Sequence, residues 1–192
     1  MMKKTLLAAL VLGFAATITL GQDLVDNPQY QNWAKFKVGA TQKTSMTQTV
    51  KAEGQDMTNM VTITLTLKEL TPDKAVVEVV QEMNIQGQST TMPARKMELK
   101  AKVPASTTQP AAPDGGKATR LGSGDEEIAV GGKKYKCHWE EWQVESPGGK
   151  MTTKAWTSKD VPGGVVKMES SGDMQGAKMT SKSELVEFKD GA

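Results

Sequence analysis

The sequence predicts a mainly β fold: one antiparallel sheet of about eight or nine strands with a short N-terminal helix. Three observations carry this. Val61 to Lys68 alternates apolar and polar residues without a miss, the period of a strand with one buried and one wet face. Short turn signals, such as Thr71-Pro72-Asp73-Lys74, Gln86-Gly87-Gln88 and Pro147-Gly148-Gly149, separate successive alternating runs, which is the pattern of a meander. Helical spacing appears only near residue 30, where Tyr30, Trp33 and Ala34 share one face.

The chain opens on Met1-Met2-Lys3-Lys4 and an apolar run from Thr5 to Leu20, closed by the small residues Thr19 and Gly21. A membrane-spanning helix wants about 20 apolar residues; this run has the dimensions of a secretory signal peptide. The expected cut falls before Gln22, with Ala15-Ala16-Thr17 as an upstream alternative. The sole cysteine is Cys137, so no cysteine stands at the cut to be lipidated. The expectation is a signal peptide at 1–21 and a single β-rich domain at 22–192. That domain works outside the cytoplasm (periplasmic or secreted) with no membrane span once the signal is removed.

Removing residues 1–21 takes Lys3 and Lys4 from the 24 basic residues, which leaves positive charge balanced against the 22 acidic ones. A neutral surface of mixed sign offers no steering field, so nucleic acid is excluded as a partner. One cysteine forms no internal disulfide, and the core alone must hold the fold.

Asn27 is a good N-cap, Pro28 suits the first helical position, and Gly39 ends the helical stretch. Strands then follow at 42–53, 61–68, 74–85 and 97–103. Residues 104–122, with Pro104, Pro110 and Pro113, read as a flexible loop joining two halves of one sheet. Neither half is large enough for a comfortable core of its own. The second half predicts strands at 125–130, 133–146, 150–158, 165–170 and 178–189. In the long one the inward set runs Tyr135, Cys137, Trp139 and then Trp142, Val144, a parity switch that predicts a β-bulge between Trp139 and Trp142. One inner face is expected to collect Val61, Ile63, Leu65, Leu67, Val77, Val79, Met83, Met97, Leu99 and Val165.

No catalytic, metal-binding or cofactor-binding constellation converges, and the chain reads as non-enzymatic. Cys137 and His138 are neighbours on a strand and point to opposite faces; the aromatic surroundings of Cys137 argue for a buried thiol. His138 is the only histidine, which leaves no multi-histidine zinc site. Asp125-Glu126-Glu127 lacks the spacing of a calcium loop, and Glu140-Glu141 diverge as strand neighbours. No helix follows Gly131-Gly132-Lys133 or Gly148-Gly149-Lys150 to hold an anion. Methionine is the unusual component: ten are spread across the predicted strands from Met46 to Met179, and flexible thioethers suit either core filler or an adaptable apolar surface.

The stretch from Val130 to Cys137, followed by Lys154 to Lys167 with its Trp-x-Ser, Val-Pro-Gly and Val-Val-Lys steps, resembles small exported bacterial β proteins. The arrangement is also similar to lipoprotein carriers of the LolA/LolB type. That resemblance implies a curved sheet, a half-barrel or partly closed barrel, cupping a hydrophobic small molecule or lipid. Ile63, Leu65, Val79, Met83, Met97 and Trp156 are the expected ligand-binding residues. The alternative is a cell-envelope protein-interaction module with a filled core and no small ligand, docking a partner protein through a sheet edge or the 104–122 loop. N-terminal sequencing of the exported protein should begin Gln22-Asp23-Leu24; a start at Met1 would show that the leader is kept.

Overall fold

Runs rich in Thr, Val, Ile and Met pair readily, because β-branched and long apolar side chains suit a pleated, half-buried surface. The computed structural model describes residues 23–52, 55–85, 88–105, 116–174 and 176–191. The expected signal peptide at 1–21 lies outside the described residues. Two short strands, β1 (Leu24–Asp26) and β7 (Lys102–Pro104), pair with each other, and α1 (Pro28–Trp33) follows β1. The remaining strands are β2 (Thr41–Ala52), β3 (Gln55–Leu70), β4 (Lys74–Ile85), β5 (Gln88–Thr91), β6 (Arg95–Lys100), β8 (Lys117–Val130), β9 (Lys133–Ser146), β10 (Gly149–Thr157), β11 (Val165–Met174) and β12 (Ala177–Lys189). They form one 10-stranded antiparallel sheet in the order β5-β4-β3-β2-β12-β11-β10-β9-β8, with β6 also paired to β4. Two meanders meet where β2 pairs β12. Among the described residues β5 and β8 do not pair, so the sheet stays open. Single sheet and short helix are as predicted; the strand count is higher.

The local chemistry of α1 explains its place. The Asn27 side chain accepts from the Gln29 amide at 3.0 Å and donates to the Lys100 carbonyl at 2.8 Å. One residue therefore caps the helix and ties it to the end of β6. Tyr30 and Trp33 are buried against Leu67, Ala75, Val77 and Leu99, and the Tyr30 hydroxyl donates to the Thr71 carbonyl at 2.7 Å.

Directly opposed residues on paired strands share a face. Leu65 opposes Val79, Leu67 opposes Val77, and Val77 opposes Met97, which defines the helix face. Trp156 opposes Lys167, Lys167 opposes Glu184, Glu184 opposes Ser45, and Ser45 opposes Thr62. Thr62 points away from α1, so Trp156 lies on the other side, here called the groove face. Yet Trp156 is buried, in a second cluster with Val130, Cys137, Val161, Val166 and Leu185. Leu185 opposes Thr44, which opposes Ile63, so this second cluster draws on both faces of the sheet.

The corner Ser158–Gly164 links the two clusters. Val161 is fully buried in the second. Gly163, at φ 73°, has no room for a Cβ, which would stand 3.0 Å from the Trp33 ring of the first cluster. Beside it, the buried Gln42 donates to the Val165 carbonyl at 2.5 Å. Register slips at Leu67/Glu69, Trp156/Thr157 and Leu185/Glu187 bend the strands around this region.

Three expectations need correction. The slip at Trp156/Thr157 buries Val166 completely and leaves Val165 only half-buried. The β9–β10 register runs without a slip, so Trp139 and Trp142 face opposite sides; the bulge sits on the neighbouring strand, between Arg120 and Gly122. Finally, the 104–122 loop is too long, because Pro104 belongs to β7 and residues 117–122 to β8, while 106–115 lie outside the described residues. Gly122 and Gly124 are mid-strand, and the Trp139 ring lies over both: a Cβ on either would come within 3.3 or 3.0 Å of it. An aromatic ring laid over strand glycines compensates for their missing side chains.

Leu67→Ala empties a fully buried site and should cost about 2–5 kcal/mol in denaturant unfolding. Met60→Ala, on the opposite face of the same strand and 53% exposed, should change stability by less than about 0.5 kcal/mol. Equal costs would contradict the assigned facing.

Candidate functional site

The helix covers only one end of its face. Beyond it the cross-strand pairs continue with Val61 between Met83 and Met46, then a polar row of Asn59, Gln48, Ser181, Ser170 and Thr153, and then a row of Met57, Val50, Met179, Gly172, Met151 and Val144. Most of these side chains are half-buried, and Met57 is 43% exposed. Gly172 keeps this row low: a Cβ there would stand 2.8 Å from the Met151 Cα, the close backbone approach that a strand glycine often marks. The outcome is a broad surface next to the helix on which two apolar rows flank a polar one, with the Gln48 amide donating to the Met179 sulfur.

Five of the six predicted ligand-binding residues lie on this face. Leu65 and Val79 pack at the edge of the helix cluster, Ile63 and Met83 follow along the strands, and Met97 is exposed at the rim. Trp156 is not with them. It is buried on the groove face, where its indole N–H donates to Glu126, a residue of β8 that reaches across β9. Lys154 and Lys167 place their ammonium groups 4.6 and 4.7 Å from its ring, and Lys154 also lies 4.1 Å from the Trp139 ring. Sequence reasoning missed this cation–π stack, whose only signal is the alternation of Lys154 and Trp156 along one strand.

The groove face is otherwise polar except for Met60, which opposes Thr47 at its β3 end. One cross-strand row reads Thr58, Thr49, Thr180, Ser171, Thr152, Gln143, and the next reads Thr47, Lys182, Glu169, Lys154, Glu141. The second row, with Thr49, Thr180, Ser171 and Thr152 of the first, lines a hollow of about 610 Å³ running over β2, β12, β11, β10 and β9. Glu184 accepts a hydrogen bond from Lys182 and holds its ammonium pKa above the usual lysine value. A second cleft, of about 640 Å³, lies at the end of the sheet between Lys35, Lys37, Lys159, Asp160 and Asp190. It contains none of the predicted residues.

The residues weighed as chemical candidates disperse. The His138 Nδ1 lies 2.8 Å from Asp125 Oδ1, on the face opposite Cys137. Glu127 pairs with Lys134 at 3.0 Å, and Glu140 pairs with Arg120 at 2.6 Å. Among the described residues no three His, Cys, Asp or Glu side chains gather as a metal site. No described helix is long and apolar enough to cross a membrane.

Burial pushes the Cys137 thiol up, with a smaller contribution from the Glu126 charge. A raised thiol stays protonated at pH 8, and the thiolate is the reactive form. Iodoacetamide should therefore modify Cys137 at least about tenfold more slowly in the native protein than in urea. Comparable rates, followed by mass spectrometry, would show the thiol to be accessible.

No protein-family model and no curated protein matches the chain. Among solved structures, a protein described as exported, with a YmcC-like fold, from Bacteroides fragilis is 11% identical over 80% of this chain and 97% of its own, with a TM-score of 0.45. A protein described as a lipoprotein from Parabacteroides distasonis is 11% identical over 80% and 96%, with a TM-score of 0.40. A domain described as outer-membrane lipoprotein-sorting, from Vibrio parahaemolyticus, is 7% identical over 83% and 88%, with a TM-score of 0.25. Likeness at this level identifies neither a ligand nor an activity.

Proposed function

We propose that the protein is exported and acts outside the cytoplasm as a non-enzymatic binding protein, holding a hydrophobic or lipid-like ligand against the methionine-rich part of the helix face. The observation that supports this is the set of incompletely buried apolar side chains beyond α1, Met46 and Met83 in one row and Met57, Val50, Met179, Met151 and Val144 in another. Each has apolar area still exposed to water, and completing its burial contributes roughly 1 kcal/mol. Thioethers adapt to ligands of irregular shape, as a lipid-like chain requires. The non-enzymatic part rests on the divergence of Cys137, His138 and the carboxylates, which leaves no nucleophile beside a base.

A second reading has its own observation. Among the described residues β8, a 14-residue strand, is paired along one side only, and unpaired edge groups can take up a strand from another protein. That is the envelope interaction module.

One substitution separates the two. Met83→Lys places a charge in an apolar row at a half-buried position away from the β8 edge. It should weaken binding of the fluorescent apolar probe N-phenyl-1-naphthylamine about tenfold or more. Native mass spectrometry of the exported protein should show a lipid-sized adduct that the variant lacks. An unchanged probe affinity in a folded variant would sink the ligand reading.

A further inference from the structure

The opposite side of the sheet has the opposite chemistry, and we infer that its hollow is a second binding site, for a short neutral oligosaccharide. Its volume is about 610 Å³, and it lies open to solvent along the sheet.

The lining itself selects the ligand class. This is the middle of a sheet, where neighbouring strands already take the backbone N–H and C=O groups, so no peptide strand can add there. Only side chains recognise the ligand. The row of Lys182, Glu169, Lys154 and Glu141 alternates in sign and sums to zero, which leaves no field to hold a polyanion. An apolar chain would strip water from the row of hydroxyls and return no hydrogen bond. A sugar ring instead offers hydroxyls that both donate and accept, the complement of Thr, Ser, Lys and Glu side chains.

A second observation is that these groups are unused. Among the described residues the Glu141 carboxylate and the hydroxyls of Thr152, Ser171 and Thr180 make no side-chain hydrogen bond or ion pair. Lys154 has no carboxylate within ion-pair distance. Its ammonium is held instead over the two indole rings, at 4.1 and 4.6 Å, which fixes the donor before a ligand arrives.

The test is saturation-transfer NMR of the purified protein with chitotriose, cellotriose, maltotriose and mannotriose at millimolar concentration. At least one should bind. Thr152→Val with Thr180→Val, which trades two hydroxyls for methyls on an exposed row, should weaken it about tenfold. Glu141→Gln, nearly isosteric, should weaken it too and serves should the double variant fail to fold. Absence of binding by all four trisaccharides overturns the inference. So does undiminished binding in folded variants, or a groove that takes heparin or a peptide in their place.

Discussion

Coverage is the constraint on which this structure depends. Ten strands present two faces to water, and among the described residues the one helix set against them is six residues long. A sheet buried on one side must find a second layer, and α1 supplies it only over Leu67, Ala75, Val77 and Leu99. Everything else about the molecule follows from how the remaining surface is handled. One region buries itself by bending, one stays wet by being polar, and one remains apolar and open.

Bending is visible in the second cluster. Glu126 on β8 reaches the Trp156 indole on β10, two strands away, so the groove face must turn inward there. Trp139 lies flat on Gly122 and Gly124, where any side chain would hold the strands apart. The second cluster joins Trp156 on the groove face to Leu185 on the helix face, and it meets the first cluster at a joint. Gly163 against Trp33, and Val161 among Trp156, Val166 and Leu185, make the Ser158–Gly164 corner that joint. Its glycine is fixed twice, by a positive φ and by want of space.

The same physics decides what was legible in the sequence. Strands, turns and the helix cap are local properties, and Val61–Lys68, Asn27-Pro28 and the Gly131-Gly132 turn were readable because each is written in adjacent residues. Which side of the sheet carries the core is not local. Trp156 alternates in step with its own strand, and only the pairing chain through Lys167, Glu184 and Ser45 puts it opposite Ile63 and Leu65. Gly122 and Gly124 misled for a related reason: glycine read alone signals a break, and the ring that makes it a strand residue comes from 15 residues or more along the chain. The alternating Lys and Glu of the groove face look like ordinary wet-face charges on each strand. They become a row only once four strands are in register.

The distribution of chemistry also bears on how the protein meets a partner. Its longer edge strand, β8, carries Asp125, Glu126 and Glu127 in sequence and a bulge at Leu121, and β5 at the other end is only four residues long. Charges, bulges and brevity are the usual defences of an edge against adding another strand. The faces have no such defence. The methionine rows keep apolar area exposed to water, and the groove keeps hydroxyls and a carboxylate without protein partners among the described residues. Guarded edges and unfinished faces favour the proposed reading, a ligand laid on side chains from above, over a strand paired to the backbone from the side.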